Sequence, residues 1–195
     1  MNFFPDARGS FTELASDIFR SMALPREYLG EDCALARALE IVGERWTLLI
    51  VRDAFYGVRR FSDFRDHLGI PRAVLTDRLN LLVEQGILER SVGASGRDEY
   101  ALTPKGQRLW PAMWSLMSWG NDFYQVGRPG RPFTHNGCGG LLEADGVCAE
   151  CHTIPAPSEL TVHPSRSKAT RRKADPVSQA LTQPHQLLAP IGEAG

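Results

Sequence analysis

His135, Cys138, Cys148 and Cys151 make two pairs of soft ligands, each pair with two residues between its members, within THNGCGGLLEADGVCAECHT (134–153). Nine residues join the pairs and can turn back at Asp145-Gly146 as a hairpin. Two such knuckles can close a tetrahedral site around zinc and leave no position for water. His152 is a spare ligand candidate, and the glycines flanking Cys138 let backbone N–H groups approach the sulfur. No base or carboxylate is placed for chemistry beside the ligands, so the expected role is a structural zinc ribbon. A metal-free ribbon or a thiol switch would use the same residues.

A second constellation lies in RRFSDFRDHLGIPRAVLTDRLNLLVEQG (59–86). Two amphipathic patterns meet at Gly69-Ile70-Pro71, with Ser62 placed to cap the first helix and Asp63 suited to its first turn. Gly69 suits a left-handed exit, and Pro71 suits the first position of the second helix. That helix puts Leu75, Leu79, Leu82 and Val83 on one face and Arg72, Ala73, Thr76, Asp77 and Asn80 on the other. Arg can bond guanine edges, Asn can bond adenine, and Ala or Thr can touch a thymine methyl. Asp63 and Asp77 are poor partners for phosphate, so a merely wetted polar face is the competing reading of the helix alone.

The remaining elements give that pair of helices its setting. A wide apolar stripe over 10–22 follows a capping box at Ser10 and Glu13. Short helices are expected over 34–42 and 45–56. After Gly86, ILERSV and DEYALT read as two strands joined by Gly93-Ala94-Ser95-Gly96-Arg97. Thr103-Pro104 then caps a long helix, kinked by Pro111, that carries Leu109, Met113, Leu116, Gly120 and Phe123. Its apolar surface exceeds what a small core needs, which points to a partner helix. Helix, turn, helix, hairpin and helix together make a winged helix-turn-helix, mainly α with a small β-hairpin wing and a small C-terminal ribbon. Arg59, Arg60, Ser62, Arg72, Ala73, Thr76, Asp77, Arg78, Asn80, Arg90 and Arg97 are then the candidate DNA contacts. The arginines near the entrance of the pair and on the wing would hold phosphates rather than read bases.

Many marks in this run resemble HxlR-type bacterial transcriptional regulators. They begin with Cys33, then Gly43, Trp46-Thr47-Leu48-Leu49-Ile50 and Arg60-Phe61-Ser62 with Phe64. Leu75-Thr76, Arg78-Leu79 and Leu81-Leu82 follow, then Gly86-Ile87-Leu88 with Arg90. Tyr100, Leu102-Thr103, Gly106, Pro111 and Trp119-Gly120 complete the order. The resemblance covers about residues 33–124, departing at Ala34 where the family usually has proline. It implies a homodimeric winged-helix repressor or activator on double-stranded DNA with a pseudo-palindromic operator, and it names no effector. Some relatives sense oxidants through an N-terminal cysteine, which makes Cys33 a sensor candidate. Glu31 and Asp32 beside it disfavour a thiolate, and a buried structural cysteine is the preferred expectation.

Composition agrees with a regulator more than with an enzyme. The net charge of −1 averages unlike parts: 1–33 carry three Arg against six acids, while 34–110 carry twelve basic groups against ten acids. The middle is mildly basic, as a phosphate-facing domain permits. There is no phosphate loop, nucleophile–base pair or carboxylate dyad, so no enzyme is expected; a winged-helix protein-interaction module is the alternative. No apolar run approaches the ~18 residues of a membrane span, and a cytoplasmic location is expected. The expected organisation is an amphipathic helix within 1–30, a winged-helix domain over 31–126, a ribbon with its own core over 132–157, and a disordered tail over 158–195.

Overall fold

A computed structural model describes residues 32–125, 130–165 and 174–191. The amphipathic stretch at 10–22, and with it the whole 1–30 segment, lies outside the described residues, as does the basic run 166–173. The chain divides into two compact units, 1–40 and 41–195. Of the first unit, 32–40 are described. They hold most of α1 (Ala34–Val42), with Leu35 and Leu39 exposed.

In the second unit, α2 (Thr47–Phe55) buries Ile50, Val51, Ala54 and Phe55. Next, α3 (Phe61–Leu68) buries Phe64 and ends at Gly69, whose φ of 68° is the left-handed exit anticipated from the sequence. Helix α4 (Arg72–Glu84) follows, with Leu75, Leu79 and Leu82 buried at helical spacing. Pro71 is its N-cap rather than its first helical residue. Strands β1 (Leu88–Val92) and β2 (Asp98–Leu102) pair antiparallel, with Arg90 opposite Tyr100. Gly96, at φ 71°, turns the connection between them.

The long helix expected after Thr103 is two helices, α5 (Pro104–Gln107) and α6 (Trp110–Tyr124). Pro111 explains the break. It lacks an N–H, and its ring would meet the carbonyl four residues back, at Gln107. The Thr103 hydroxyl caps α5 by accepting from Gly106 N.

The C-terminal part departs furthest from expectation. Residues 158–165 and 174–191 are folded against the winged helix, where a disordered tail was expected. Strands β3 (Phe133–His135), β4 (Leu160–Val162) and β5 (His185–Gln186) form an antiparallel sheet in the order β3-β4-β5. Before β5 comes the short α7 (Pro176–Ala180), capped by the Asp175 carboxylate on Ser178 N. Leu160, Val162, Val177, Leu181, Leu187 and Ile191 are all buried in the same core as α2 and α4. Leu160 and Val162 alternate and Val177 and Leu181 are four apart, but each pattern is only two residues long, too short for periodicity to mark an element.

The ribbon has no core of its own either. Phe133 packs on Trp110 at 5.6 Å and edge-on to Trp114 at 5.2 Å, and Trp110 in turn meets Phe55 at 5.1 Å. Backbone bonds extend the attachment: Leu188 N donates to Phe55 O and Ile191 N to Gly57 O. Gly57 has φ 85°, and a β-carbon there would overlap the Ala189 carbonyl. Among the described residues no helix is long and apolar enough to cross a membrane.

Candidate nucleic-acid interface and candidate metal centre

One face of α4 carries Arg72, Ala73, Thr76, Asp77 and Asn80, all exposed. At 100° per residue these five span about 140° of the helix, opposite the buried leucines. Local bonds order the face. Thr76 Oγ1 donates to Arg72 O, and the Arg72 guanidinium lies 5.6 Å from the Phe61 ring.

Arg78 does not belong to this group. It is half-buried on another side of α4, with its guanidinium 3.8 Å from the Glu44 carboxylate. Arg60 is half-buried, 3.7 Å from Glu99, and the Arg59 carbonyl accepts from Tyr100 N. These contacts tie the start of α3 to the wing. Ser62 is exposed and bonded to Asp63 rather than capping α3, whose N-cap is Arg60 with no side-chain bond. The capping expectation missed because α3 begins two residues earlier than a Ser62 cap requires. Arg90 is exposed opposite Asp98 at 3.7 Å, and Arg97 is exposed in the wing turn.

Cys33 is exposed. The expectation of a buried structural cysteine is corrected: Cys33 directly precedes α1, a helix that buries none of its residues.

The metal-ligand candidates converge. Ligand atoms of His135, Cys138, Cys148 and Cys151 all lie within 4.8 Å of one another, without His152. His135 Nδ1 is 3.2 Å from Cys151 Sγ and 3.4 Å from Cys138 Sγ, and Cys138 and Cys148 Sγ are 3.4 Å apart. Tetrahedral zinc, with bonds of ~2.3 Å to sulfur and ~2.05 Å to nitrogen, needs edges of about 3.8 Å and about 3.6 Å. These three separations lie a few tenths of an ångström inside those edges, and no pair of the four atoms is more than 4.8 Å apart, so the set is grouped as such an ion requires.

Backbone geometry builds this site. His135 lies at the end of β3, and Gly139 N donates to its carbonyl with φ 76°. Cys148 follows the hairpin turn at Gly146 (φ 85°), and His152 N donates back to its carbonyl. Gly140 is confined: a β-carbon there would fall 2.5 Å from Cys148 Sγ. The environment favours the thiolate at Cys151 and Cys148, whereas the Cys138 thiol is held up. The Thr153 hydroxyl and backbone bring the Cys151 thiol down to about 6, and backbone N–H groups of Cys151 and Glu150 lower that of Cys148. Bonds to Cys151 and Cys148 raise His135.

Two features escape sequence reasoning. Asp53, fully buried, binds Arg52 and lies 3.9 Å from His67, which reaches Asp175 at 3.0 Å. Arg52 and Arg131 also face a common hollow with Tyr56. Both features join residues far apart in the chain, and only the fold brings them together.

Residues 41–127 match the model of the HxlR-like helix-turn-helix family. An HTH-type transcriptional regulator of Mycobacterium tuberculosis is 44% identical over 133 residues, covering 66% of this chain and 82% of that one. The HTH-type regulator YvaP of Bacillus subtilis is 33% identical, covering 45% and 83%. Among solved structures, the reduced form of the B. subtilis transcriptional regulator YodB is 28% identical, covering 50% and 99% with a TM-score of 0.42. With the winged helix already in place, the chain belongs to the HxlR-like helix-turn-helix family, a family of transcriptional regulators and not of enzymes.

Proposed function

We propose that the protein is a cytoplasmic, sequence-specific DNA-binding regulator of repressor type that acts as a homodimer on a pseudo-palindromic operator. The observation that carries this is the exposed face of α4, whose side chains are short or bond-capable and stand clear of the core. In such a module that helix enters the major groove while the wing reaches the neighbouring backbone. Arg72, Ala73, Thr76, Asp77 and Asn80 then lie against base edges. Arg59, Arg60, Ser62, Arg90 and Arg97 are placed for the phosphates, and Arg78 supports α4 from behind through Glu44. Dimerisation is supported by α6, where Leu116, Trp119, Phe123 and Tyr124 form an exposed apolar stripe at i, i+3, i+7 and i+8 spacing. His135, Cys138, Cys148 and Cys151 hold a structural Zn²⁺ in this reading, and the closed four-ligand set leaves no open position for catalysis.

The test is DNA selected from a random pool by the purified protein, followed by competition against non-specific duplex. Arg72→Ala should relax preference at one operator position, costing ~1–3 kcal/mol there. Arg97→Ala should weaken all sequences alike and reduce the salt slope by roughly one phosphate contact. Unchanged operator preference in Arg72→Ala would refute the reading-helix assignment.

A further inference from the structure

Between α2, α6 and the start of the C-terminal module lies a cavity of about 530 Å³, within the range of ~300–1,000 Å³ typical of small-molecule sites. Its walls are largely apolar: Tyr56, Trp114, Met117, Tyr124 and Phe133 contribute to them. Its charged groups among the described residues are Arg52 and Arg131, with no Asp or Glu among them. The two arginines differ in state. Arg52 is already paired with the buried Asp53, its Nε and Nη2 both donating to Oδ1 at 2.9 and 2.7 Å while Oδ2 has no bond among the described residues. Arg131 spends its Nη1 on carbonyls, Leu181 O at 2.6 Å and His163 O at 3.5 Å, and has no carboxylate partner among the described residues.

Among the described residues this half-buried guanidinium is bonded only to carbonyls, which leave its positive charge without a paired anion there. Burial pulls its pKa down, and Arg52 nearby adds to that shift. An anion would relieve both, and a planar carboxylate matches the guanidinium fork. The surrounding rings call for a flat apolar body on the same ligand.

We infer that this cavity is a binding site for a small aromatic carboxylate, held by Arg131 and enclosed by the aromatic walls. One wall comes from Arg131, Phe133 and Ser165, in the region beyond the family-matched residues 41–127. Another comes from α6, the same helix that presents the exposed apolar stripe. A bound ligand would therefore touch both the C-terminal module and the helix proposed to form the dimer.

The experiment is calorimetric titration of the full-length, zinc-loaded protein without DNA, so its outcome is independent of the operator reading. Probes are benzoate and phenylacetate, with benzyl alcohol (ring without charge) and acetate (charge without ring) as comparisons. Expected is saturable binding of at least one aromatic acid, with both comparison compounds weaker by about tenfold or more. Arg131→Gln should weaken the acid by a similar factor while leaving benzyl alcohol unchanged. Gly120→Leu guards against a folding artefact. Gly120 lines the cavity from α6, and a β-carbon there meets nothing within 4 Å, so a leucine can enter the cavity from an open position. It should block binding without lowering the melting temperature, since replacing a helical glycine favours the helix. No binding of either acid at millimolar concentration would overturn the inference, as would binding that survives Gly120→Leu.

Discussion

His67 Nδ1 lies 3.0 Å from Asp175 Oδ1, joining the first helix of the helix-turn-helix to a segment more than a hundred residues later. Ser178 donates its hydroxyl and backbone N–H to the same carboxylate at 2.7 and 2.8 Å. The bond therefore caps α7 and anchors it on α3 at once.

Asp175→Asn should loosen this anchor by about 1–2 kcal/mol, since it keeps a capping oxygen but loses the charge. Burial works to raise the Asp175 carboxyl, yet the Ser178 bonds and His67 prevail and hold it below its ordinary value. A depressed folded pKa means stability present above the unfolded value of ~3.9 and lost as pH falls through the folded one. Hydrogen exchange at the Leu188 and Ile191 amides, which bond to Phe55 and Gly57, reports the anchor. Acidification below pH ~4 should speed that exchange in the wild type. In Asp175→Asn exchange should be fast throughout; identical profiles would show that the carboxylate carries no anchoring charge.

Gly57→Ala should release the same segment from its other end. The φ of 85° strains any L side chain, and the new methyl would overlap the Ala189 carbonyl. A cost of about 1–3 kcal/mol follows from the backbone alone. Thermal melts should fall while the Cys148 and His152 amides of the metal hairpin stay protected. A variant as stable as wild type would mean that 188–191 contribute nothing to the fold.

Metal removal should be felt beyond the hairpin. Trp114 Nε1 donates to Glu143 O at 2.8 Å, and Gly146 is packed against the Trp114 ring. A zinc ion held as proposed would organise 135–153, so chelation should free the Trp114 indole N–H and lower overall stability, because metal binding energy is folding energy. The indole proton can be followed by NMR alongside elemental analysis, with one zinc per chain expected and none in Cys148→Ser. An indole N–H indifferent to chelation would separate the metal from the helix. Independence of ribbon and winged helix, as the sequence reading held, would give that indifference; the Phe133–Trp114 contact at 5.2 Å argues against it.

Local signals in the chain mark the winged helix and the ligand knuckles clearly. Gly69, Gly146, Thr103 and the Leu75-Leu79-Leu82 spacing each act within a few residues, so their structural effect travels with the sequence. The C-terminal core has no such signal. Leu160, Val177, Leu187 and Ile191 fill gaps left by other elements, and polar composition with scattered prolines reads as a tail until those gaps are known. The same holds for Asp53, His67 and Asp175, three unremarkable residues until the fold places them together.

The exposed stripe of α6 supplies the final prediction. Leu116, Trp119, Phe123 and Tyr124 are 52 to 73% exposed, and Trp119 packs on Phe123 and Tyr124 at 6.0 and 5.0 Å. Rings that stack on one another while facing water form a preorganised patch, which a second copy can cover with its own identical patch. Leu116→Glu places a charge at the centre of that contact. Each Leu contributes roughly 1.5–3 kcal/mol when buried, and two-fold symmetry doubles the loss. Dimer dissociation should therefore move up by two orders of magnitude or more, with the monomer's fold intact because Leu116 makes no part of the core. Operator affinity should collapse with it, since one reading helix cannot span two half-sites about 34 Å apart, whereas affinity for random duplex should fall far less. Sedimentation of the wild type as a monomer at micromolar concentration would remove the dimer, leaving the stripe to be explained by another partner.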